Sequence, residues 1–112
     1  MGEAISFLIA NAEGLELTGA FPHCNNLLHD IQTSLPDVVL MDIEMPGMNG
    51  VSAVKILKQH YPAITIIMQT VFEDAGKIFD AICAGASGYL LKDILPKRLM
   101  ESITEAYEGV YL

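Results

Sequence analysis

The distribution of apolar residues along the chain predicts four short strands. The predicted strands run from Leu15 to Phe21, from Asp37 to Asp42, from Ile64 to Thr70 and from Ser87 to Lys92. Three of these runs are almost continuously apolar, which is typical of strands that are buried on both faces. Strands of this kind belong to parallel sheets, and we expect such a sheet here.

The segments between these strands carry apolar residues at helical spacing. Such residues recur three and four positions apart from Leu27 to Leu35, from Val51 to Leu57 and from Ile78 to Ala86. A last helix is predicted to begin at Pro96, because proline is favoured in a first helical turn, and to close at Gly109. Strands that alternate with helices indicate an α/β fold.

The composition indicates one domain that neither spans a membrane nor binds nucleic acid itself. The chain has 112 residues, enough for a single core, and no apolar run approaches the ~18 residues that a bilayer span needs. Its formal net charge is −8 with only six lysine and arginine residues, so it would repel phosphate backbones. Any contact with DNA must therefore be made elsewhere.

The cysteines and the first residues favour a reducing cytoplasm. Cys24 and Cys83 lie far apart in sequence and match no CxxC spacing, so free thiols are the simpler interpretation. Met1 leads into Gly2 and Glu3 without the basic segment that opens a signal peptide. We therefore expect a cytoplasmic protein.

Polar side chains end three of the predicted strands. Asp42, Thr70 and Lys92 each stand at the carboxyl end of a strand. In an open parallel sheet these ends line one crevice, where ligands bind. The topology therefore predicts that three residues distant in sequence lie together.

The chemistry of these three residues suits the acceptance of a phosphoryl group. Asp42 would be the nucleophile, Thr70 would donate a hydrogen bond to one phosphoryl oxygen, and Lys92 would offset the charge of another. Each residue also has an ordinary explanation: Asp42 as a partner of loop N–H groups, Thr70 as a good strand former and Lys92 as a solvated strand end. Their joint occurrence favours the phosphoacceptor interpretation.

The loop after Asp42 suggests how a cation could be held nearby. Pro46 and Gly47 suit a type II turn, which would point a backbone carbonyl such as that of Glu44 back towards the strand end. The predicted metal ligands are therefore the Asp42 carboxylate and the Glu44 carbonyl.

The chain resembles the receiver domain of two-component response regulators. The resemblance rests on "PDVVLMDIEMPGMNG", "MQT" and "AGASGYLLK", which follow in order and spacing over nearly the whole chain. It implies a CheY-like, flavodoxin-like fold, in which helices cover both faces of a doubly wound parallel sheet in three layers. On this basis we expect residues 1–112 to form one receiver domain.

The resemblance also implies roles and partners. It makes Asp42 the phosphorylated aspartate, Thr70 the switch hydroxyl, Lys92 the cation and Tyr89 the switch aromatic. "GASGYLLKD" and "EAYEGVYL" are most similar to NarL/LuxR-type regulators, whose receiver precedes a helix-turn-helix output domain. In those relatives a sensor histidine kinase is the partner, Mg²⁺ is the cofactor, and the surface of the fourth helix, fifth strand and fifth helix switches to control transcription.

One expected feature of the family is missing from this sequence. Receivers begin with a central strand that ends in an acidic pair, which holds the magnesium ion, and no such segment is found. Ile5 to Asn11 fits either a strand or a helix, but only "AEG" separates Asn11 from Leu15, far too short for a parallel crossover. We expect this segment to be helical and the first central strand to be absent, either naturally or because the sequence starts inside a longer protein.

Two interpretations of function follow from that missing strand. In the first, the chain is a regulatory phosphoacceptor receiver and not an enzyme with an external product. In the second, it is a degenerate receiver that serves as a phosphorylation-independent dimerisation or interaction module, because magnesium binding is weakened. An unfilled sheet edge favours a homodimer. A nucleotide- or flavin-binding enzyme is disfavoured, since no glycine-rich phosphate loop follows the first strand.

Overall fold

Nine helices and strands make up the described part of the chain, which covers residues 14–19, 26–45, 48–70 and 75–109 of a computed structural model. In chain order they are α1 (Leu27–Ser34), β1 (Val38–Asp42), β2 (Glu44–Met45), β3 (Met48–Asn49), α2 (Gly50–His60), β4 (Thr65–Thr70), α3 (Ala75–Ala84), β5 (Gly88–Leu91) and α4 (Pro96–Tyr107). No helix among these residues is long and apolar enough to cross a membrane.

The main sheet is parallel, as predicted. Its three described strands lie in the order β1-β4-β5, so β4 is hydrogen-bonded on both sides. Asp42 pairs with Gln69 across β1 and β4, and Thr70 pairs with Leu91 across β4 and β5. Each parallel pair is joined through a helix, which confirms the α/β prediction.

A small antiparallel pair, β2 and β3, follows β1 and was not predicted. Glu44 pairs with Asn49 and Met45 with Met48. Two residues of pairing are too short to leave an alternating pattern in the sequence. The predicted turn at Pro46 and Gly47 lies outside the described residues.

The prediction of a strand from Leu15 to Phe21 is wrong for its described portion. Residues 15–19 form no strand, and most of their side chains are exposed. Leu15 instead packs against the core from an irregular segment, so its apolar surface is buried without strand pairing. Phe21 lies outside the described residues, as does the predicted helix before Gly14.

The last helix confirms the prediction from its terminal residues. Leu95 is extended, with ψ 143°, and Pro96 occupies the first turn of α4. Gly109, two residues beyond the helix, has φ +92°, a conformation that glycine adopts without steric cost. The helix therefore begins and ends where the residue types predicted.

Two hydrophobic clusters lie on opposite faces of the main sheet. The three-helix face carries Met41 and Met68 of the sheet, which pack against residues of α1, α2 and α3: Ile31, Ala53, Val54, Leu57 and Ala81. The one-helix face carries Ile67 and Leu90, which pack against residues of α4: Leu99, Ile103 and Ala106. Helices on both faces give the three-layer αβα arrangement that the sequence predicted.

Candidate functional site

The three predicted site residues meet at the carboxyl end of the parallel sheet. Asp42 ends β1, Thr70 ends β4 and Lys92 directly follows β5. The backbone pairing continues beyond the strands, since the N–H of Ile43 donates to the carbonyl of Gln69 (3.1 Å) and the N–H of Lys92 donates to that of Thr70 (2.9 Å). These bonds fix the relative heights of the three residues along the sheet.

A close ion pair joins two of them. Lys92 Nζ lies 2.7 Å from Asp42 Oδ1. That oxygen is buried and accepts no hydrogen bond with good geometry from the described residues. The Asp42 side chain is nevertheless 33% exposed, so its accessible surface falls on the remainder of the side chain, which includes Oδ2. Lys92 therefore holds the carboxylate through one oxygen, and the exposed part of the side chain excludes that oxygen.

Thr70 and Tyr89 project towards the other face of the sheet. Side chains alternate along a strand, so Thr70 shares the three-helix face with Ile66 and Met68. Tyr89 packs against that same cluster. It also lines an apolar groove of about 330 Å³ with four residues of α3: Ala75, Ile78, Phe79 and Ile82. The predicted switch hydroxyl and switch aromatic thus lie on one face, and Tyr89 lies beside α3 there.

Gly50 lets helix α2 begin directly against the site. Its N–H donates to the carbonyl of Ile43 at 2.7 Å. A Cβ atom placed on Gly50 would lie 2.5 Å from the carbonyl oxygen of Asp42 and 2.8 Å from the Ile43 backbone. Side-chain atoms do not approach backbone so closely, so only glycine fits without displacing the chain around Asp42.

The described residues do not fit a firmly held magnesium ion. Mg²⁺ takes near-octahedral oxygen coordination, usually with one or two carboxylates besides water. No group of three or more Asp, Glu, His or Cys side chains that could hold a metal occurs within the described ranges. Of the predicted ligands, Asp42 already has Oδ1 paired with Lys92, and Glu44 lies in β2, where its carbonyl contribution stays a prediction.

The sequence reasoning did not single out one polar residue beside the site, Gln69. It is the β4 residue paired with Asp42, it is only 6% exposed, and its Nε2 atom has no hydrogen-bond partner in the described part of the chain. A glutamine inside the apolar run "TIIMQT" was the available signal. Of the two polar residues at the end of this run, only Thr70 was predicted to belong to the site.

Comparison with known proteins agrees with this architecture. A family model described as the response regulator receiver domain matches residues 1–104. The chain belongs to this family. The receiver resembles the transcriptional regulatory proteins YxjL (33% identity over 107 residues) and LnrK (32% over 107 residues), both from Bacillus subtilis. Each match covers 96% of this chain but 49% of the relative, so the receiver spans about half the length of these relatives.

A solved structure of similar fold supports the same assignment. The receiver superposes on a two-component response regulator of the LuxR family from Aurantimonas sp. SI85-9A1 with a TM-score of 0.88 and 27% identity. The match covers 97% of this chain and 78% of the other. The predicted family and the CheY-like fold are therefore confirmed. The chain is a receiver domain of a two-component response regulator, a signalling module.

Proposed function

We propose that this receiver accepts a phosphoryl group on Asp42 from a phosphohistidine of a sensor kinase. Asp42 Oδ2 forms a bond to phosphorus while the bond from phosphorus to the histidine nitrogen breaks, and its electron pair returns to the imidazole. The ion pair of 2.7 Å between Lys92 Nζ and Asp42 Oδ1 carries this proposal, because it fixes one carboxylate oxygen beside a positive charge and leaves Oδ2 as the oxygen outside the pair.

Lys92 and Thr70 supply charge and a hydrogen bond to the transferred group. An ammonium beside the attacking carboxylate lowers the repulsion between that carboxylate and an anionic phosphoryl group. Thr70 ends the strand between those of Asp42 and Lys92, so its hydroxyl needs only a local movement to reach a phosphoryl oxygen. Transfer of this kind depends mainly on positioning and charge neutralisation, which these residues provide.

The output of the switch is the surface formed by α3, β5 and α4, which correspond to the family's fourth helix, fifth strand and fifth helix. A Thr70 that moves towards a phosphoryl group vacates space on the three-helix face, where Tyr89 packs against the core. Tyr89 then turns inward from the α3 groove and changes the shape of that surface. The curated relatives are transcriptional regulators about twice as long, which supports control of a DNA-binding output domain in a longer protein.

A second candidate function is a phosphorylation-independent interaction module, which forms a homodimer. The observation that favours it is the small set of metal ligands within the described ranges. Metal-free receivers of this kind would keep the fold and its surfaces but lose the response to phosphate. The two functions are separated by whether Asp42 takes up a phosphoryl group at all.

The test is incubation of the purified chain with phosphoramidate and magnesium chloride, followed by intact-mass spectrometry. We expect the mass of one phosphoryl group to be added, and Asp42→Asn to abolish this addition. Asp37→Asn is the matched control, because this exposed aspartate precedes the opposite end of β1. A label that survives in Asp42→Asn would contradict the assignment. An unlabelled wild-type chain that is dimeric by light scattering would support the interaction module.

A further inference from the structure

Two buried polar atoms at the site belong to neighbouring residues and make no hydrogen bond of good geometry with the described residues, although one of them is in the ion pair with Lys92. They are Oδ1 of Asp42, an acceptor, and Nε2 of Gln69, a donor. Neither bonds to another described residue with hydrogen-bonding geometry, and Gln69 as a whole is only 6% exposed. Buried polar groups in native proteins are nearly always satisfied, so a buried donor without a partner beside an acceptor that is held only by an ion pair requires an explanation.

The register of the sheet makes these two side chains neighbours. Asp42 and Gln69 are paired residues of β1 and β4. Paired residues of adjacent strands direct their side chains to the same face, and the strands lie about 4.8 Å apart. A glutamine side chain is long enough to cross that distance by rotation about its terminal bonds. A rotation of the side chain can therefore bring its amide to the carboxylate without any change of the backbone.

We infer that Gln69 is a positioning residue of the phosphorylation site, which donates a hydrogen bond from Nε2 to Asp42 Oδ1. The inference rests on the proposed role of Asp42. Lys92 and Gln69 then hold the same oxygen from two sides and leave Oδ2 as the reacting atom. A hydrogen bond to an ionised acceptor is shorter and stronger than one to a neutral acceptor.

This difference in strength gives Gln69 an effect on the lifetime of the phosphoryl group. In aspartyl phosphate, Oδ1 is a neutral carbonyl oxygen. In hydrolysis, a water oxygen bonds to phosphorus, the bond from phosphorus to Oδ2 breaks with its electron pair left on Asp42, and the water proton passes to phosphate or solvent. Because the carboxylate re-forms as the bond breaks, a donor on Oδ1 accelerates this step.

The matched pair for the test is Gln69→Met and Ser102→Ala. Methionine keeps the length and approximate volume of glutamine but removes the donor. Ser102 is a fully buried residue of α4 whose Oγ also has no partner among the described residues, yet it lies on a helix and not beside Asp42 in the sheet. Both variants thus remove an unpaired buried polar group, and only one removes the proposed contact.

The first measurement is the decay of the phosphorylated chain after removal of phosphoramidate, followed by intact mass. We expect Gln69→Met to lengthen the half-life by about three- to ten-fold, given the difference in strength between hydrogen bonds to charged and to neutral acceptors, and Ser102→Ala to leave it unchanged. An unchanged or shorter half-life in Gln69→Met would overturn the inference, as would an equal lengthening in Ser102→Ala.

The second measurement does not need phosphorylation. In ¹⁵N-labelled protein, the side-chain amide resonances of Gln69 should shift in Asp42→Asn and stay in place in Asp37→Asn and Ser102→Ala. A shift in Ser102→Ala alone would make the serine the partner and overturn the inference. Because this spectrum is recorded on unphosphorylated chain, a wild type that takes up no phosphoryl group refutes the proposed function without deciding whether the hydrogen bond exists.

Discussion

The two faces of the sheet are packed in different ways. On the three-helix face, the fully buried side chains of Val54, Leu57, Ile66 and Met68 are all apolar. On the one-helix face, the apolar cluster is smaller, and the buried polar residues Gln69 and Ser102 lie among or beside it. Two of the three buried polar residues in the described part of the chain thus lie on the one-helix face, and the third, Thr70, ends β4 on the three-helix face.

The site uses both faces for different purposes. Asp42 is two residues after Leu40 in β1, so it faces the same side of the sheet, and Leu40 packs on the one-helix face. Tyr89 packs on the three-helix face. The proposed nucleophile therefore lies where the packing includes polar groups. The proposed switch residue, Tyr89, lies against α3. A displacement of its side chain is transmitted there to an apolar, closely packed layer. Thr70, at the end of β4 on the three-helix face, is the proposed link between Asp42 and Tyr89.

The largest expected effect is the loss of a core side chain from the three-helix face. Leu57 is fully buried, so Leu57→Ala removes its contacts and leaves a cavity, and should lower the free energy of unfolding by about 3–5 kcal/mol. Urea denaturation followed by circular dichroism measures this change. Leu95→Ala is the control, because Leu95 is 74% exposed and should cost little. Similar losses in both variants would refute the assigned core.

The next effect concerns the start of α2. Gly50→Ala places a Cβ atom against the Asp42 and Ile43 backbone, so it should destabilise the chain by about 1–3 kcal/mol and reduce phosphoryl uptake. Gly76→Ala, on the exposed side of α3, should be neutral or stabilising because alanine is the better helix former. Urea denaturation measures the stability of both variants, and intact-mass spectrometry measures their phosphoryl uptake. A tolerated Gly50→Ala would show that the loop relaxes more easily than its contacts indicate.

One substitution on the one-helix face should stabilise the chain, in contrast to the two losses of stability above. Ser102→Ala removes a buried hydroxyl that has no partner among the described residues, so it should raise the free energy of unfolding by about 0.5–1.5 kcal/mol. Thermal and urea denaturation both report this gain. Thr104→Ala is the control on the same helix, since its exposed hydroxyl donates to the Met100 carbonyl. A clear loss of stability in Ser102→Ala would remove the contrast between the faces.

The smallest stability effect is expected at the ion pair. The side chains of Lys92 and Asp42 are 23% and 33% exposed, so solvent screens their attraction and Lys92→Met should change stability by at most about 1 kcal/mol. Phosphoryl uptake should nevertheless fall strongly, because the charge beside Asp42 is lost. A double-mutant cycle with Asp42→Asn measures the coupling energy. A coupling of several kcal/mol would show that the pair is structural.

The sequence predicted most elements wherever a residue type constrained the backbone. Pro96 and Gly109 located the ends of α4, and the apolar run up to Asp42 located β1. The strand predicted from Leu15 failed over its described residues because the apolar pattern of a sequence does not report whether a neighbouring strand is available for pairing. Gln69 was missed because its significance depends on the register with Asp42, which only the assembled sheet provides.

The continued pairing at the strand ends has a consequence for how this domain can diverge in evolution. Ile43 and Lys92 hydrogen-bond to consecutive carbonyls of β4, those of Gln69 and Thr70. One residue inserted into or deleted from any of the three strands would move its terminal side chain by about 3.3 Å and turn it to the opposite face. Insertions and deletions are therefore tolerated only in the connecting loops, and the lengths of these strands should vary less than their amino acids.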